Sequence, residues 1–228
     1  MRYIWILIFN TIAATSLGQN KSEYGLMLVD ELWHYQHLVD SLPDNKMVDL
    51  KQVDGLHFDI RYATANNFTQ QVIYPKAEAF ARQPVANALE NANRAFQKKG
   101  YSIKIWDAYR PYAATVLFYE LIKDTTFVAS PFSGSRHNRG CALDLTLVNN
   151  KTGKEVPMPT TYDDFTELAY PSSPLKDPIL AKNRTLLIET MQEYGFEVYP
   201  TEWWHFDFKG WKDYPILNLT FDELKKNK

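Results

Sequence analysis

The segment 133–147, SGSRHNRGCALDLTL, constrains the fold of this chain most, because it places an acidic residue inside an otherwise apolar strand. Asp144 is flanked by leucines in that predicted strand, and a carboxylate buried without a partner is costly. His137 precedes a turn that Gly140 makes possible. An imidazole and a carboxylate that converge on one point are good ligands for Zn²⁺. A structural hydrogen bond between His137 and Asp144 explains the pair about as well.

Hydrophobic patterns along the rest of the chain predict helices and strands that do not follow a regular βαβ rhythm. This mixture favours an α+β class, and a length of 228 residues suits one mid-sized domain. The helices are expected over 22–41, from Pro84 to a stop at Gly100, over 112–123 and over 180–194, and the strands over 56–62, 101–107, 142–148 and 203–208.

The first 18 residues have the pattern of a secretory signal peptide, with Arg2 ahead of an apolar run over 3–14 and cleavage expected after Gly18. This predicts export to the periplasm or the medium. The apolar run is short for a membrane span, so no stable span is expected after cleavage. An uncleaved anchor or a buried first element is the alternative.

Charge and cysteine usage exclude some classes of protein. The formal net charge is −2 without a long basic run, which gives nucleic-acid binding no electrostatic support. Cys141 is the single cysteine, so the chain has no internal disulfide, and strand alternation turns its side chain away from Asp144. His34 and His37 lie three apart in the first predicted helix, but two histidines alone do not make a zinc site.

The motif TEWWHFDF supplies a second group of polar residues. Glu202 and His205 lie three apart, and in a regular strand they would face opposite sides of the sheet. A bulge or bend before His205 would let both face one site. His205 would then complete a set of two histidines and one carboxylate, leaving a zinc position open for water, and Glu202 would be the base. A rim carboxylate paired with a lysine is the alternative for Glu202.

The motif WDAYRP places Arg110 just after a predicted strand and before a proline. A guanidinium keeps its charge at all physiological pH values, so Arg110 can stabilise the oxyanion of a tetrahedral intermediate. The alternative is a weak surface pair between Arg110 and Asp107.

Two of these motifs together resemble a known family. SRHNRGCALD fits S-x-H-x-x-G-x-A-x-D and EWWHF fits E-x-x-H, as in the D-alanyl-D-alanine dipeptidase family of zinc peptidases, the type that includes the vancomycin-resistance dipeptidases. RYATANNFT, WDAYRP and NRTLLIETMQEYGFE look like further blocks of that family in the same order. The resemblance runs from about Asp54 to Phe208.

The resemblance implies a fold, a metal and a set of roles. The fold would be a central, mostly antiparallel sheet flanked by helices, as in hedgehog domains and D,D-peptidases. One zinc ion per chain would be held by His137, Asp144 and His205. Glu202 would be the general base and then the proton donor, and Arg110 would stabilise the oxyanion.

The resemblance also implies three substrate contacts. Ser135 matches the serine near the substrate's C-terminal carboxylate, while Tyr62 and Asp163 match groups near its free ammonium. A site that pairs both ends of a dipeptide rejects longer chains, because a buried group left without its partner is costly. The chain departs from the family pattern near Asp163, where Pro159 replaces the usual glycine and restricts the backbone.

The resulting expectation is a zinc dipeptidase that hydrolyses D-Ala-D-Ala to two D-alanines, in cell-wall turnover or scavenging. Residues 1–18 would be the signal peptide, 19–53 a helical extension and 54–228 the catalytic domain. The alternatives are a D,D-carboxypeptidase or peptidoglycan endopeptidase of the same fold, and a non-catalytic zinc-binding module like the hedgehog domain. Glu202 and Arg110 together argue against the last. The sequence carries no signal for an oligomeric state.

Overall fold

A five-stranded sheet flanked by helices is the centre of the computed structural model, which describes residues 20–125 and 127–226. The predicted signal peptide lies outside the described residues. In chain order the elements are β1 (Asn20–Lys21), β2 (Met27–Leu28), α1 (Leu32–Ser41), β3 (Met47–Asp49), β4 (His57–Phe58), β5 (Phe80–Arg82), α2 (Gln83–Lys98), β6 (Tyr101–Asp107), α3 (Tyr112–Ile122), β7 (Ala142–Asn149), α4 (Pro178–Glu193), β8 (Phe196–Tyr199), β9 (Glu202–Phe208) and α5 (Phe221–Lys226).

The strands of the central sheet follow the order β4-β6-β7-β9-β8. Only the pairing of β4 with β6 is parallel, and the other three pairings in this sheet are antiparallel. Two small antiparallel ribbons, β1-β2 and β3-β5, lie beside it. The predicted α+β class with a mostly antiparallel sheet is therefore confirmed.

Two long helices cover the sheet as their apolar patterns predict. Helix α2 has proline in its first turn, buries Leu89 and Phe96 completely, and is followed by Gly100 with φ +87°. Helix α4 buries Leu187 and Met191 and packs against β8 and β9. Each such buried side chain contributes about 1.5–3 kcal/mol of hydrophobic free energy.

The first predicted helix is wrong over its N-terminal half. The chain forms the β1-β2 hairpin instead, since Gly25 turns it at φ +85° and its N–H donates to the carbonyl of Ser22 at 2.9 Å. Helix α1 starts only at Leu32. A left-handed turn of this kind favours glycine and interrupts a helix.

The strand predicted over 56–62 is also shorter than expected. It pairs only over β4, and Arg61–Ala63 form a single 3₁₀ turn. This turn buries the ring of Tyr62 against Tyr74 and Phe118, which a continued edge strand would not do. Within the described part of the chain, no helix is both long and apolar enough to cross a membrane.

Candidate active site

Three adjacent strands place acidic and imidazole side chains in one row across the sheet. Asp107 of β6 is the cross-strand partner of Asp144 of β7, and Asp144 is in turn the partner of His205 of β9. His137 comes from the 3₁₀ turn His137–Arg139 just before β7. All four side chains are buried. The sheet register thus brings together polar residues that lie up to 98 positions apart in the sequence.

Gly140 ends the turn that carries His137, as the sequence predicted. Its φ is +69°, and its carbonyl accepts a hydrogen bond of 3.0 Å from the backbone N–H of Arg82. A Cβ at this position would lie 2.7 Å from the terminal methyl of Met47, so both backbone angle and space favour glycine.

Three ligand atoms converge on one point. His137 Nε2 lies 3.2 Å from His205 Nδ1 and 3.4 Å from Asp144 Oδ1, and the last two atoms are 3.0 Å apart. Asp144 Oδ1 is buried and has no hydrogen-bond donor among the described residues. Ligands about 2.0–2.1 Å from a tetrahedral zinc ion lie about 3.3 Å from each other, so the three side chains fit a zinc site.

The outer nitrogen of each imidazole faces a hydrogen-bond acceptor. His137 Nδ1 lies 2.7 Å from the carbonyl oxygen of Ala108, and His205 Nε2 lies 3.0 Å from Asp207 Oδ1. A ring N–H donated to each acceptor leaves the inner nitrogens as lone pairs that face one another. Such lone pairs repel each other unless a cation lies between them. Metal-binding histidines usually donate their outer ring N–H to an acceptor in the same way.

The electrostatics of this triangle favour a positive charge. Burial works to raise the pKa of Asp144, but the imidazoles of His137 and His205 outweigh it and hold that pKa well below its ordinary value. Burial works to lower the pKa of His205, but the carboxylates of Asp144 and Asp207 beside its ring raise it well above the ordinary value. Both shifts have one cause, a carboxylate held against imidazoles where little water enters.

Sequence reasoning missed the partners behind the ligands. The hydroxyl of Tyr162 donates to Asp144 Oδ2 at 2.9 Å, and Asp207 holds His205 as described. Asp207 was detectable in principle, because it lies two residues after His205 and so on the same face of the strand. Tyr162 belongs to an irregular loop, and no periodic pattern in the sequence indicates it.

Glu202 reaches the same point from the start of β9. The β8-β9 register shifts between Val198 and Tyr199, which pair with Phe206 and Glu202, so the strand pairing is irregular around His205 as the prediction of a bulge or bend requires. Glu202 Oε2 lies 3.6 Å from His205 Nδ1, and its side chain keeps 26% exposure. Burial raises the pKa of Glu202, with His205 opposing the rise.

The alternative pair of Arg110 with Asp107 does form, but the prediction that it lies at the surface is wrong, because both side chains are buried. The Nε and Nη2 of Arg110 donate to Asp107 Oδ2 at 3.1 and 2.7 Å, and Tyr74 donates to Asp107 Oδ1 at 2.9 Å. The guanidinium carbon lies 5.3 Å from the ring centroid of Tyr62 and 4.9 Å from that of Phe118. These contacts fix the cation beside the candidate metal ligands.

The three predicted substrate contacts lie in the same cleft. The hydroxyl of Tyr62 donates to Asp163 Oδ1 at 3.2 Å, and Asp163 adopts a φ of +59°. Burial, with a smaller contribution from Asp144, raises the pKa of Asp163 to about 8. Ser135 Oγ accepts the backbone N–H of His137 at 3.2 Å. The cleft, about 780 Å³ in volume, is lined by all eight residues singled out in the sequence: Tyr62, Arg110, Ser135, His137, Asp144, Asp163, Glu202 and His205.

Other polar residues singled out in the sequence lie elsewhere. In the described part of the chain, the only set of three or more metal-ligating side chains is His137, Asp144 and His205, so His34 and His37 gain no third ligand. The Cys141 thiol is buried beside the carbonyl of Arg139, and burial raises its pKa to about 12. It is not part of the cleft.

Comparison with known families gives one match over most of the chain. The family Peptidase_M15, described as D-ala-D-ala dipeptidase, matches residues 43–225.

Individual relatives agree with this match. A D-alanyl-D-alanine dipeptidase of Escherichia coli (strain K12) is 32% identical over 173 residues, which cover 75% of this chain and 89% of the relative. One from Enterococcus faecium is 32% identical over 190 residues, covering 75% of this chain and 93% of the relative. Among solved structures, the vancomycin resistance D,D-pentapeptidase VanY gives a TM-score of 0.40 at 16% identity, covering 59% of this chain and 75% of that one.

Proposed function

This chain belongs to the D-ala-D-ala dipeptidase family, and from that premise we propose that its cleft hydrolyses D-alanyl-D-alanine to two D-alanines with one bound zinc ion per chain. The chain is a metallopeptidase. The observation that carries the proposal is the convergence of His137 Nε2, Asp144 Oδ1 and His205 Nδ1 within 3.4 Å of one another in a cleft that also holds Glu202 and Arg110.

Zinc is the metal that this donor set fits. Two neutral imidazoles and one carboxylate are typical of catalytic zinc sites, which keep a coordination position open. When bound, zinc polarises the scissile carbonyl and makes a water molecule more acidic. The hydrogen bonds that His137 and His205 donate to the Ala108 carbonyl and to Asp207 hold both rings in the orientation and tautomer that this role requires.

Glu202 moves the proton. Its carboxylate lies beside the metal ligands, and burial raises its pKa toward the range in which a carboxylate is an effective base near neutral pH. It accepts a proton from the attacking water and then donates it to the leaving nitrogen of the peptide bond. Without that second transfer the amine would leave as an anion, which is unfavourable.

Arg110 stabilises the negative charge that develops on the scissile carbonyl oxygen. Its guanidinium is held by Asp107 and by the rings of Tyr62 and Phe118, so it needs little reorganisation during the reaction. The partial neutralisation by Asp107 also explains how a cation can be buried at this depth.

The two ends of the dipeptide bind to different groups. Asp163 and Tyr62 receive the ammonium, and the Ser135 hydroxyl donates to the C-terminal carboxylate. The Ser135 oxygen already accepts a backbone N–H, which leaves its own proton free for donation. A longer peptide would leave the Asp163 carboxylate without its ammonium, which supports a preference for dipeptides over wall peptides.

The cellular setting follows from the leader sequence. Residues 1–18 act as a signal peptide, 19–53 precede the catalytic domain, and 54–228 form it. Export would place the enzyme where cell-wall fragments are released, in wall turnover or scavenging. A D,D-carboxypeptidase is not favoured, because the matched relatives are dipeptidases, and a non-catalytic zinc module is disfavoured by Glu202 and Arg110.

The test is a turnover assay on the purified, zinc-loaded protein. We expect release of D-alanine from D-Ala-D-Ala, loss of activity on chelation and recovery on zinc addition. D-Ala-D-Ala-D-Ala should be cleaved far more slowly. Efficient cleavage of the tripeptide with none of the dipeptide would indicate a carboxypeptidase, and absence of turnover on both would contradict the proposal.

A further inference from the structure

Arg136 presents a second guanidinium to the cleft, and neither the zinc site nor the proton transfer uses it. Its side chain lines the cleft and is 33% exposed. The guanidinium carbon lies 5.1 Å from the ring centroid of Tyr199 and 4.9 Å from that of Trp211. Its Nε lies 3.3 Å from Asp207 Oδ2. Two rings and one carboxylate therefore hold a long, flexible side chain in place.

The terminal amino groups of Arg136 are available for a ligand. Among residues 20–125 and 127–226, no hydrogen-bond acceptor pairs with them. The other arginines of the cleft are engaged at their terminal nitrogens, Arg110 by Asp107 and Arg139 by the carbonyl of Tyr214. A guanidinium has five N–H donors in a planar fork that matches a carboxylate.

We propose that Arg136 binds the C-terminal carboxylate of the substrate together with Ser135, and so selects substrates that end in a free acid. The inference rests on the proposed function. A carboxylate that leaves water needs a charged partner, and the Ser135 hydroxyl provides only a neutral hydrogen bond. Arg136 follows Ser135 directly in the chain, and its ring partner Tyr199 lies 5.1 Å from the His205 ring, centroid to centroid. The cation is thus next to the metal ligands.

A second role for Arg136 would be to position a metal ligand without contacting substrate. It contacts Asp207, which holds His205, so its loss could disturb the metal ligand instead. These two roles make different predictions for substrates that lack the terminal charge. Binding of the carboxylate affects only the free acid, whereas a disturbed His205 affects every substrate equally.

The experiment compares D-Ala-D-Ala with its C-terminal amide on zinc-loaded wild type and Arg136→Gln. We expect wild type to prefer the acid. The variant should lose about 10- to 100-fold in kcat/KM on the acid, mainly through KM, and little on the amide. Arg136→Lys should recover part of the preference. The matched control Arg139→Gln changes a neighbouring cleft arginine that also lies over Trp211, and it should keep the preference.

Each contrary result has a distinct meaning. Equal losses on acid and amide, or a fall in bound zinc, would overturn carboxylate binding and leave Arg136 as a positioning residue for His205. An unchanged preference for the acid would also overturn it. If wild type hydrolysed neither substrate, the proposed function itself would fail, and the inference with it.

Discussion

Glu202 and Asp163 are two carboxyls of one cleft whose pKa values burial raises, yet their neighbours suit them to different tasks. Glu202 Oε2 lies 3.6 Å from Nδ1 of His205, a proposed metal ligand, where the proposed proton transfer between water and the leaving amine would take place. Asp163 accepts a hydrogen bond from Tyr62 and is suited to hold a cation. In the proposed function, position in the cleft rather than residue type separates the base Glu202 from the binding group Asp163.

Replacing Glu202 by glutamine is expected to remove proton transfer and keep the metal. The amide has nearly the same shape but cannot accept the proton, so kcat for D-Ala-D-Ala should fall by about 10²–10⁴-fold. Bound zinc, measured by metal analysis, should not change. Glu197→Gln, on the exposed side of β8, is the control and should retain full turnover. Unchanged turnover in Glu202→Gln would remove its role as base.

Replacing Asp163 by asparagine is expected to stabilise the metal-free protein in a pH-dependent way. The pKa of this carboxyl is about 8 in the folded protein and about 4 in an unfolded chain. Between these values the folded state keeps a proton that the unfolded state releases, so wild-type stability falls as pH rises from 4 to 8. Asparagine abolishes that loss.

The gain in free energy of unfolding from Asp163→Asn should be near zero at pH 4 and on the order of 1–3 kcal/mol at pH 8. Denaturant unfolding of the chelator-treated protein measures it. The same variant should lose affinity for the dipeptide, seen as a higher KM. An equal stability difference at both pH values would contradict a raised pKa at Asp163.

At the scale of elements, one short turn and one irregularity in strand pairing bring side chains from different parts of the chain to a single point. The turn His137–Arg139 ends at Gly140 and delivers His137 beside Asp144. The irregularity opposite Tyr199 lets Glu202 and His205 share one face of β9. Regular strands alternate faces and could not do this with residues three apart.

The Gly140→Ala variant is expected to weaken zinc binding as well as the fold. Its Cβ would strain a left-handed backbone and meet the Met47 methyl at 2.7 Å, so we expect the turn that holds His137 and the Met47 side chain to move apart. We expect a loss of about 1–3 kcal/mol in unfolding free energy and about 10- to 100-fold in zinc affinity.

The matched control is Gly153→Ala. Gly153 has nearly the same φ, +68°, but a Cβ there meets no atom within 4 Å, so this variant carries the backbone strain alone. The Gly153→Ala variant should lose about 1 kcal/mol in free energy of unfolding and bind zinc with the affinity of the wild type. Competition titrations with a chelator measure both affinities, and equal zinc affinity in the two variants would contradict the link from turn to metal.

At the scale of the whole molecule, the zinc site would join segments that are distant in sequence. His137 precedes β7, Asp144 lies within it, and His205 lies in β9, so a metal ion would connect two strands and the turn between β6 and β7. A ligand that binds only the folded state stabilises it by mass action. With its single cysteine, the chain has no internal disulfide to do the same.

Removal of zinc is therefore expected to lower the melting temperature. At zinc concentrations about 100 times Kd, the stabilisation is about 2.7 kcal/mol, which corresponds to roughly 5–10 °C for a domain of this size. Calorimetry with and without chelator measures the shift. The His137→Ala variant should have the lower melting temperature both with and without chelator. If chelator also left the melting temperature of the wild type unchanged, a structural contribution from the metal would be contradicted.

The sequence by itself determined the chemical types and their local placement. Short-range patterns indicate the turn and strand that carry His137, Gly140 and Asp144, and the strand 101–107 ahead of Arg110. They also indicate the class of fold and the family. This is possible because turns and strand alternation depend on neighbouring residues. The helix expected over 22–41 forms only from Leu32, since Gly25 turns the preceding stretch into the β1-β2 hairpin.

Only the tertiary structure decided which distant residues meet. Strand pairing sets the register that aligns Asp107, Asp144 and His205. Packing of the surrounding segments buries the Arg110–Asp107 pair and brings Tyr162 against Asp144. Asp107, Asp144 and His205 are far apart in the sequence, and although Arg110 lies only three residues from Asp107, the sequence does not indicate that their pair is buried. Packing of the complete core determines these contacts, so the ligand types were readable in the sequence while their supports were not.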